Sequence, residues 1–172
     1  MLPIDEAPFV IDANTRLIEV PPAFRKCSGV QSDNYAEIIT FVVDRYFDYK
    51  DLADTEIAIQ WINEAAGTQG LSIIKLIDLE TKGDENKIRF GWPLTQEMTA
   101  AAGNLRFAVR FFTRSNGTFN YVLNTATESI PIKATLPLDA NLKENDSDLN
   151  YFKTFVKNSS KPSYGIPTQV VF

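Results

Sequence analysis

The densest group of side chains that could do chemistry lies between residues 44 and 54. Four aspartates stand in this stretch: Asp44, Asp48, Asp51 and Asp54. Carboxylates at such short spacing could bind Ca²⁺, which takes about six to eight oxygen ligands. The EF-hand spacing and its central glycine are missing, and Arg45 and Lys50 could neutralise the carboxylates. We therefore expect a solvated or salt-bridged loop and no metal, with a calcium site as the alternative that the sequence leaves open.

The same stretch carries three aromatic residues, Tyr46, Phe47 and Tyr49. Flat rings next to acidic groups could stack on the apolar faces of sugars, so one interpretation is a glycan-binding platform. The other is that the rings close one end of the fold over its core. The residues alone do not decide between the two.

The chain offers few groups for catalysis. It contains no histidine, so Ser-His-Asp and Cys-His nucleophile pairs and His-ligated zinc sites are excluded. Its one cysteine, Cys27, cannot form an intrachain disulfide, and we expect it to be a small buried or half-buried residue. Several acids could serve a hydrolase, but nothing in their spacing selects a pair. The sequence predicts no enzymatic activity and no cofactor.

The overall charge bears on possible partners. Lysine and arginine number 17 against 22 aspartates and glutamates, which gives a net charge of −5. An acidic surface repels phosphate backbones, and the basic residues form no run, so we expect no nucleic-acid partner. No segment has the roughly 18 apolar residues that a membrane-spanning helix needs, and Met1 to Ala7 lacks the features of a signal peptide.

The dominant hydrophobic period is two, which is typical of half-buried strands. Large apolar residues alternate with polar ones in Leu105 to Phe111, in Glu56 to Asn63 and in Lys87 to Trp92. Ala36 to Val43 is apolar on both faces, and Leu71 to Leu79 is a less regular candidate strand. These runs predict a core of strands with Arg106 and Arg110 on the outer face.

The connections between the runs predict how the strands are joined. Asn116-Gly117 and the polar residues around Asp12 and Asn14 indicate hairpin turns. Thr95 to Ala102 has an N-cap residue, helix-forming alanines and a following glycine, so it predicts one short crossover helix. Together with a mid-chain Trp61, this pattern predicts an all-β fold: an antiparallel Ig-like β-sandwich of about 7–8 strands with that helix and an extended C-terminal arm.

The predicted organisation is an N-terminal arm over residues 1–8, the sandwich over 9–138, and a linker with a C-terminal arm over 139–172. Apolar residues stand out on the otherwise polar arm: Tyr151, Phe152, Phe155, Tyr164, Val170, Val171 and Phe172. We predict that they bind a partner protein, although the arm could equally pack on its own sandwich.

Several segments taken together resemble an Ig-like domain in structural proteins of tailed bacteriophages. The resemblance covers about residues 9–138 and follows strands and turns rather than a short signature. The residues that carry it are Ile11-Asp12, Arg16 to Pro21, Gly29 to Glu37, Asp44 to Asp48 with Asp51-Leu52, Gln60 to Asn63, Phe90 to Trp92, Leu105 to Phe107, and Tyr121 with Asn124-Thr125.

The resemblance implies a non-enzymatic virion protein, found in head decoration, head-fibre or baseplate proteins of these phages. Because the chain ends soon after the module, we expect a capsid decoration or head-fibre anchoring protein, with a baseplate or tail adaptor as the alternative. The implied partners are other virion proteins, with a homo-oligomer as a further possibility, and the implied location is the virion. A carbohydrate-binding module for host attachment is the hypothesis from another class.

Overall fold

The computed structural model describes residues 7–136 and 155–156. The chain divides into two units, Met1–Thr135 and Leu136–Phe172. The described part of the first unit is built from thirteen strands, one α-helix and one short 3-10 helix. In chain order they are β1 (Phe9–Ile11), β2 (Ile18–Glu19), α1 (Pro22–Lys26), β3 (Gly29–Val30), β4 (Ile38–Asp44), β5 (Tyr46–Phe47), β6 (Lys50–Asp51), the 3-10 helix (Leu52–Asp54), β7 (Glu56–Asn63), β8 (Thr68–Ile73), β9 (Leu76–Lys82), β10 (Glu85–Pro93), β11 (Gly103–Ser115), β12 (Thr118–Asn124) and β13 (Glu128–Lys133).

The strands form two main sheets whose pairing order is that of an immunoglobulin sandwich. The first sheet has the order β2-β1-β4-β10-β9, and the second has the order β3-β13-β11-β7-β8, with β12 also paired to β11. An immunoglobulin sandwich pairs strands A-B-E-D in one sheet and C-F-G in the other, with C′ added beside C in variable-type domains. The chain follows this order, with β12 and β13 together in the place of G. The predicted all-β, Ig-like sandwich is therefore confirmed, but the described residues form eleven strands in the two main sheets instead of the predicted 7–8, because short strands such as β2 and β3 add to the edges.

Two strand pairs depart from the predicted antiparallel arrangement. β1 runs parallel to β4, and β3 runs parallel to β13. The cause lies in the path of the first thirty residues, which form the β1–β2 hairpin in one sheet and then cross through α1 to the edge of the other. β4 therefore enters the first sheet in the same direction as β1.

The core between the sheets is rich in aromatic rings, as the alternation predicted. Phe41 stacks on Phe90 with ring centroids 5.0 Å apart, and the Trp92 and Phe107 centroids are 5.2 Å apart. All four side chains are buried, and so is Trp61 on β7. Burial of this apolar surface is the main force that holds the two sheets together.

The segment predicted to be a helix, Thr95 to Ala102, is instead a series of turns. It does cross from β10 in the first sheet to β11 in the second. The buried Asn63 holds it, because its Nδ2 donates to the carbonyl oxygens of Met98 and Ala101, both at 2.9 Å. These bonds satisfy carbonyls that the sequence pattern assigned to a helix. The α-helix lies at Pro22–Lys26, where proline at the first helical position was the available signal.

The hairpins that the sequence predicted are present. β1 pairs with β2 around the turn at Asp12 to Thr15, and β11 pairs with β12 around Asn116-Gly117. Both residues of the Asn-Gly turn have positive φ, 50° and 79°, as a type I′ turn requires.

Candidate functional site

The surface that stands out on the described part of the chain is one open side of the sandwich, where β8 ends one sheet and β9 ends the other. The segment from Leu71 to Leu79, predicted to be one less regular strand, instead belongs to two strands, β8 and β9. The chain leaves the second sheet after Ile73, buries Ile74 and enters the first sheet at Leu76. The change of sheet explains why the alternation breaks at this point.

We call this side of the sandwich the open edge. Its exposed apolar residues lie on different faces: Ile77 and Leu79 on the inner face of the first sheet, Leu76 on the outer face of that sheet, and Leu71 and Ile73 on the outer face of the second sheet. Ile77 lies opposite Phe90 and Leu79 lies opposite Ile88 in the β9–β10 register. Directly opposed residues share a face of the sheet, so both point to the same side as the core residues. They are nevertheless 41% and 53% exposed, whereas Phe90 and Ile88 are completely buried. The second sheet therefore does not cover β9.

Every residue of β9 is exposed. Among the described residues, β9 pairs with β10 on one side and with no strand on the other. Such a strand presents a row of unpaired backbone N–H and C=O groups that can pair with another extended chain. Its apolar side chains would add burial to the backbone hydrogen bonds, which is the arrangement used in β-strand addition.

β8, which forms one side of the open edge, depends on a close contact with the core for its position. Gly70 packs against the indole of Trp61, and a Cβ at this position would lie 2.7 Å from Trp61 Cζ2. Ser72 lies near the other core tryptophan, with Trp92 Nε1 3.4 Å from its hydroxyl. The small residues of β8 therefore face inward while Leu71 and Ile73 face outward.

The charge along β9 and the following turn is predominantly acidic. Asp78, Glu80, Asp84 and Glu85 outnumber Lys82 in residues 76–85. Glu80 accepts a hydrogen bond from Arg89 Nε at 2.6 Å, so its charge is partly compensated from β10. The open edge is thus apolar with an acidic margin.

The predicted aromatic cluster Tyr46, Phe47 and Tyr49 lies on a small hairpin formed by β5 and β6. Asp48 and Tyr49 both have positive φ, 49° and 69°, and form its tight turn. Tyr46 and Tyr49 are exposed, whereas Phe47 packs against the core and lies under the guanidinium of Arg16, 5.3 Å from its ring centroid. The structure therefore separates Phe47 from the two tyrosines.

The aspartates of this hairpin have cationic partners. Arg45 binds Asp51 through two hydrogen bonds of 3.0 Å, and Asp51 Oδ1 also accepts the N–H of Ala53. The Arg45 guanidinium, together with the Ala53 N–H, holds the pKa of Asp51 below its ordinary value despite the opposing effect of desolvation. Asp44 forms an ion pair with Lys87, and this hydrogen bond raises the pKa of the lysine. The salt-bridged interpretation is confirmed for Asp44 and Asp51.

Two other titratable groups are shifted by their surroundings. Burial alone would raise the pKa of Glu128, but hydrogen bonds from Arg25 and from the Ser129 N–H and the charge of Arg25 lower it overall. Burial raises the pKa of Tyr121, whose ring lies beneath the Lys50 ammonium. Each shift is explained by burial or by an ion pair that stabilises the fold.

The described residues also bear on metal binding, membrane spanning and the state of the cysteine. No group of three or more His, Cys, Asp or Glu side chains there could hold a metal ion. No helix in that part of the chain is long and apolar enough to cross a membrane. Cys27 is exposed, so the prediction that it is buried or half-buried was wrong. It is exposed because it follows α1 with extended backbone. Its Sγ lies 3.3 Å from the Gly29 carbonyl oxygen.

Most of the arm residues predicted to bind a partner lie outside the described residues. These are Tyr151, Phe152, Tyr164, Val170, Val171 and Phe172. Phe155 is described and is exposed. The assignment of partner binding to the arm stays a prediction.

No family model matches the chain, and no curated protein matches it. The function must therefore be argued from the geometry and from the sequence pattern.

Proposed function

We propose that this chain is a non-catalytic structural protein of a tailed-bacteriophage virion, which decorates the capsid or anchors a head fibre. The phage assignment rests on the sequence resemblance, and the structural observation that supports a role in an assembly is the open edge. A solvent-exposed strand with apolar side chains is an aggregation hazard for a protein that works alone. It is useful for a protein whose neighbours cover it permanently, as in an assembled particle.

The ionic groups support a structural role. The Lys87–Asp44 and Arg25–Glu128 pairs join different segments of the sandwich, and the Arg45–Asp51 pair closes the β5–β6 hairpin. The shifted carboxylates, Asp51 and Glu128, are held by arginines in these pairs. This arrangement favours a rigid building block over a protein that transforms a substrate.

The open edge favours a different protein over a second copy as its occupant. If two β9 strands paired antiparallel about Leu79, Asp78 of each copy would lie opposite Glu80 of the other. Like charges directly opposed across strands are destabilising. We propose that the occupant is an extended segment of another virion protein with apolar side chains and lysine or arginine, which complement the acidic margin. A homo-oligomer through another surface stays a prediction.

The proposed anchoring role of the C-terminal arm can be tested by truncation. A chain that ends at residue 138 should still unfold cooperatively but should no longer be found on particles of the phage that encodes it. The measurement is the amount of chain on purified particles, with full-length chain supplied from the same plasmid as the control. Normal incorporation of the truncated chain would show that the arm is not the anchor.

A location on the head rather than the baseplate would be supported by particles that contain the chain but lack tails.

The alternative of a carbohydrate-binding module rests on the exposed rings of Tyr46 and Tyr49. Tyr46 already lies against the Arg45 guanidinium, 5.3 Å from its ring centroid. If the alternative is correct, the chain should bind on a broad glycan array, and the changes Tyr46→Ala and Tyr49→Ala should each abolish that binding. Phe119→Ala, which removes an exposed ring elsewhere, should leave it unchanged. An array without signal would argue against the module.

A further inference from the structure

The arginines of this chain fall into two groups. All seven lie in the described residues. Five of them form an ion pair with a carboxylate: Arg25 with Glu128, Arg45 with Asp51, Arg89 with Glu80, Arg106 with Glu64, and Arg114 with Glu56. Arg16 and Arg110 have no carboxylate of the described residues within ion-pair distance.

The two remaining arginines meet at one residue, Asn124 at the end of β12. Arg16 donates from Nη1 to the backbone carbonyl oxygen of Asn124 at 3.1 Å. Arg110 donates from Nη1 to the Oδ1 of the same residue at 2.8 Å. Arg16 comes from the β1–β2 turn and Arg110 from β11, so the fold brings together two positive charges that are far apart in sequence. In a chain with a net charge of −5, such a cluster contrasts with the rest of the surface.

The hydrogen bonds of Arg110 leave N–H donors of Arg110 and of its neighbours available at the protein surface. Its Nε and Nη2 both donate to Gln60 Oε1, at 3.2 and 2.5 Å. A guanidinium has five N–H donors and no acceptor, so it must face the amide oxygens of Gln60 and Asn124. Both amide NH₂ groups therefore point away from Arg110. Two N–H donors of Arg110 itself also take no partner among the described residues.

We propose that Arg16, Arg110 and Asn124, with Gln60 beside them, form a binding site for a carboxylate group. Guanidinium groups bind carboxylates through charge-assisted hydrogen bonds, often in pairs. Arg16 and Arg110 are each half-buried, which limits competition from water at the site. The carboxylate belongs either to an acidic side chain of a partner protein or to an acidic sugar. The site lies on β7, β11, β12 and the β1–β2 turn, with Gln60 directly opposite Leu71 of the open edge. It includes no residue of β9 and does not depend on the proposed function.

The test compares carboxylate ligands with neutral ligands of the same shape. The full chain is titrated at low salt with hexaglutamate and hexaglutamine peptides, and with glucuronate and glucose, while the ¹⁵N resonances of the arginine side chains are followed. A carboxylate ligand should shift the Arg110 and Arg16 resonances, and its neutral counterpart should not. A response to the peptide assigns the site to a protein partner, and a response to glucuronate assigns it to an acidic sugar.

Matched variants separate this site from general charge attraction. Arg110→Gln and Arg16→Gln should each weaken binding about tenfold, because each removes a charged donor. Arg114→Gln removes the same charge from the same strand, but its guanidinium already pairs with Glu56, and it should have little effect. The proposal is overturned if no carboxylate ligand binds better than its neutral counterpart, or if Arg114→Gln weakens binding as much as Arg110→Gln.

Discussion

The double change Ile77→Lys and Leu79→Lys should reduce the amount of chain on purified phage particles about tenfold or more. Full burial of one such side chain contributes about 1.5–3 kcal/mol, and since each is only about half exposed, covering both contributes about that amount in total. About 1.4 kcal/mol corresponds to a tenfold change in an equilibrium constant. Two lysines on β9 would also repel the basic segment that we propose as its partner. Because both positions are already 41% and 53% exposed, the fold itself should tolerate the change.

The control for this experiment places the same charges on other strands. Val10 on β1 and Val122 on β12 are 42% and 48% exposed, which closely matches the two edge positions. The double change Val10→Lys and Val122→Lys should leave incorporation unchanged. Urea unfolding of both variants shows whether stability differs. If the edge variant is stable and still incorporates like wild type, the open edge is not the attachment surface.

Replacing Asn63 with alanine should lower the free energy of unfolding by about 3 kcal/mol, since each hydrogen bond contributes about 1 kcal/mol and its partners are left unsatisfied. Asn63 is completely buried and donates to Met98 O and Ala101 O, while its Oδ1 accepts the Ala66 N–H. These bonds hold the connection that carries the chain from one sheet to the other. The measurement is urea unfolding at neutral pH.

Asn120→Ala is the matched control for this prediction. Asn120 also lies on a strand, β12, but its side chain is exposed. This variant should change stability by less than about 0.5 kcal/mol. Equal losses for Asn63→Ala and Asn120→Ala would show that the buried amide does not hold the crossover.

The strands that alternate regularly could be predicted from the sequence. In β7, β10 and β11 most inward positions are large and apolar, and most opposite positions are polar or small, with Asn63, Ile62 and Phe112 as exceptions. A period of two then determines the buried face, as Trp61 and Phe107 show. The Asn116-Gly117 hairpin was predictable for a local reason as well, since this pair tolerates the positive φ of a tight turn.

The elements that were mispredicted depend on contacts between distant residues. Thr95 to Ala102 has helix-forming residues, but Asn63, more than thirty positions earlier in the chain, binds its carbonyl groups. Leu71 to Leu79 changes sheets at Ile74, and the break in alternation there does not by itself indicate that the chain enters another sheet.

The open edge could not be recognised from the sequence because Ile77 and Leu79 have the alternation of buried residues. Their exposure is decided by where the opposite sheet ends. Likewise, the spacing between Arg16 and Arg110 gives no sign that both contact Asn124. The ion pair between Asp51 and Arg45 could be predicted from the sequence, since the two residues lie six positions apart in one hairpin.

The most direct test of the proposed structural role is quantitative mass spectrometry, after chemical cross-linking, of purified particles of the tailed phage that we propose encodes this chain. The account predicts that the chain is present at a fixed ratio to the major capsid protein. It also predicts that Lys75 and Lys82, which flank the exposed residues of β9, are cross-linked to a different virion protein. Particles that lack the chain, with the protein recovered entirely from the particle-free lysate, would contradict it.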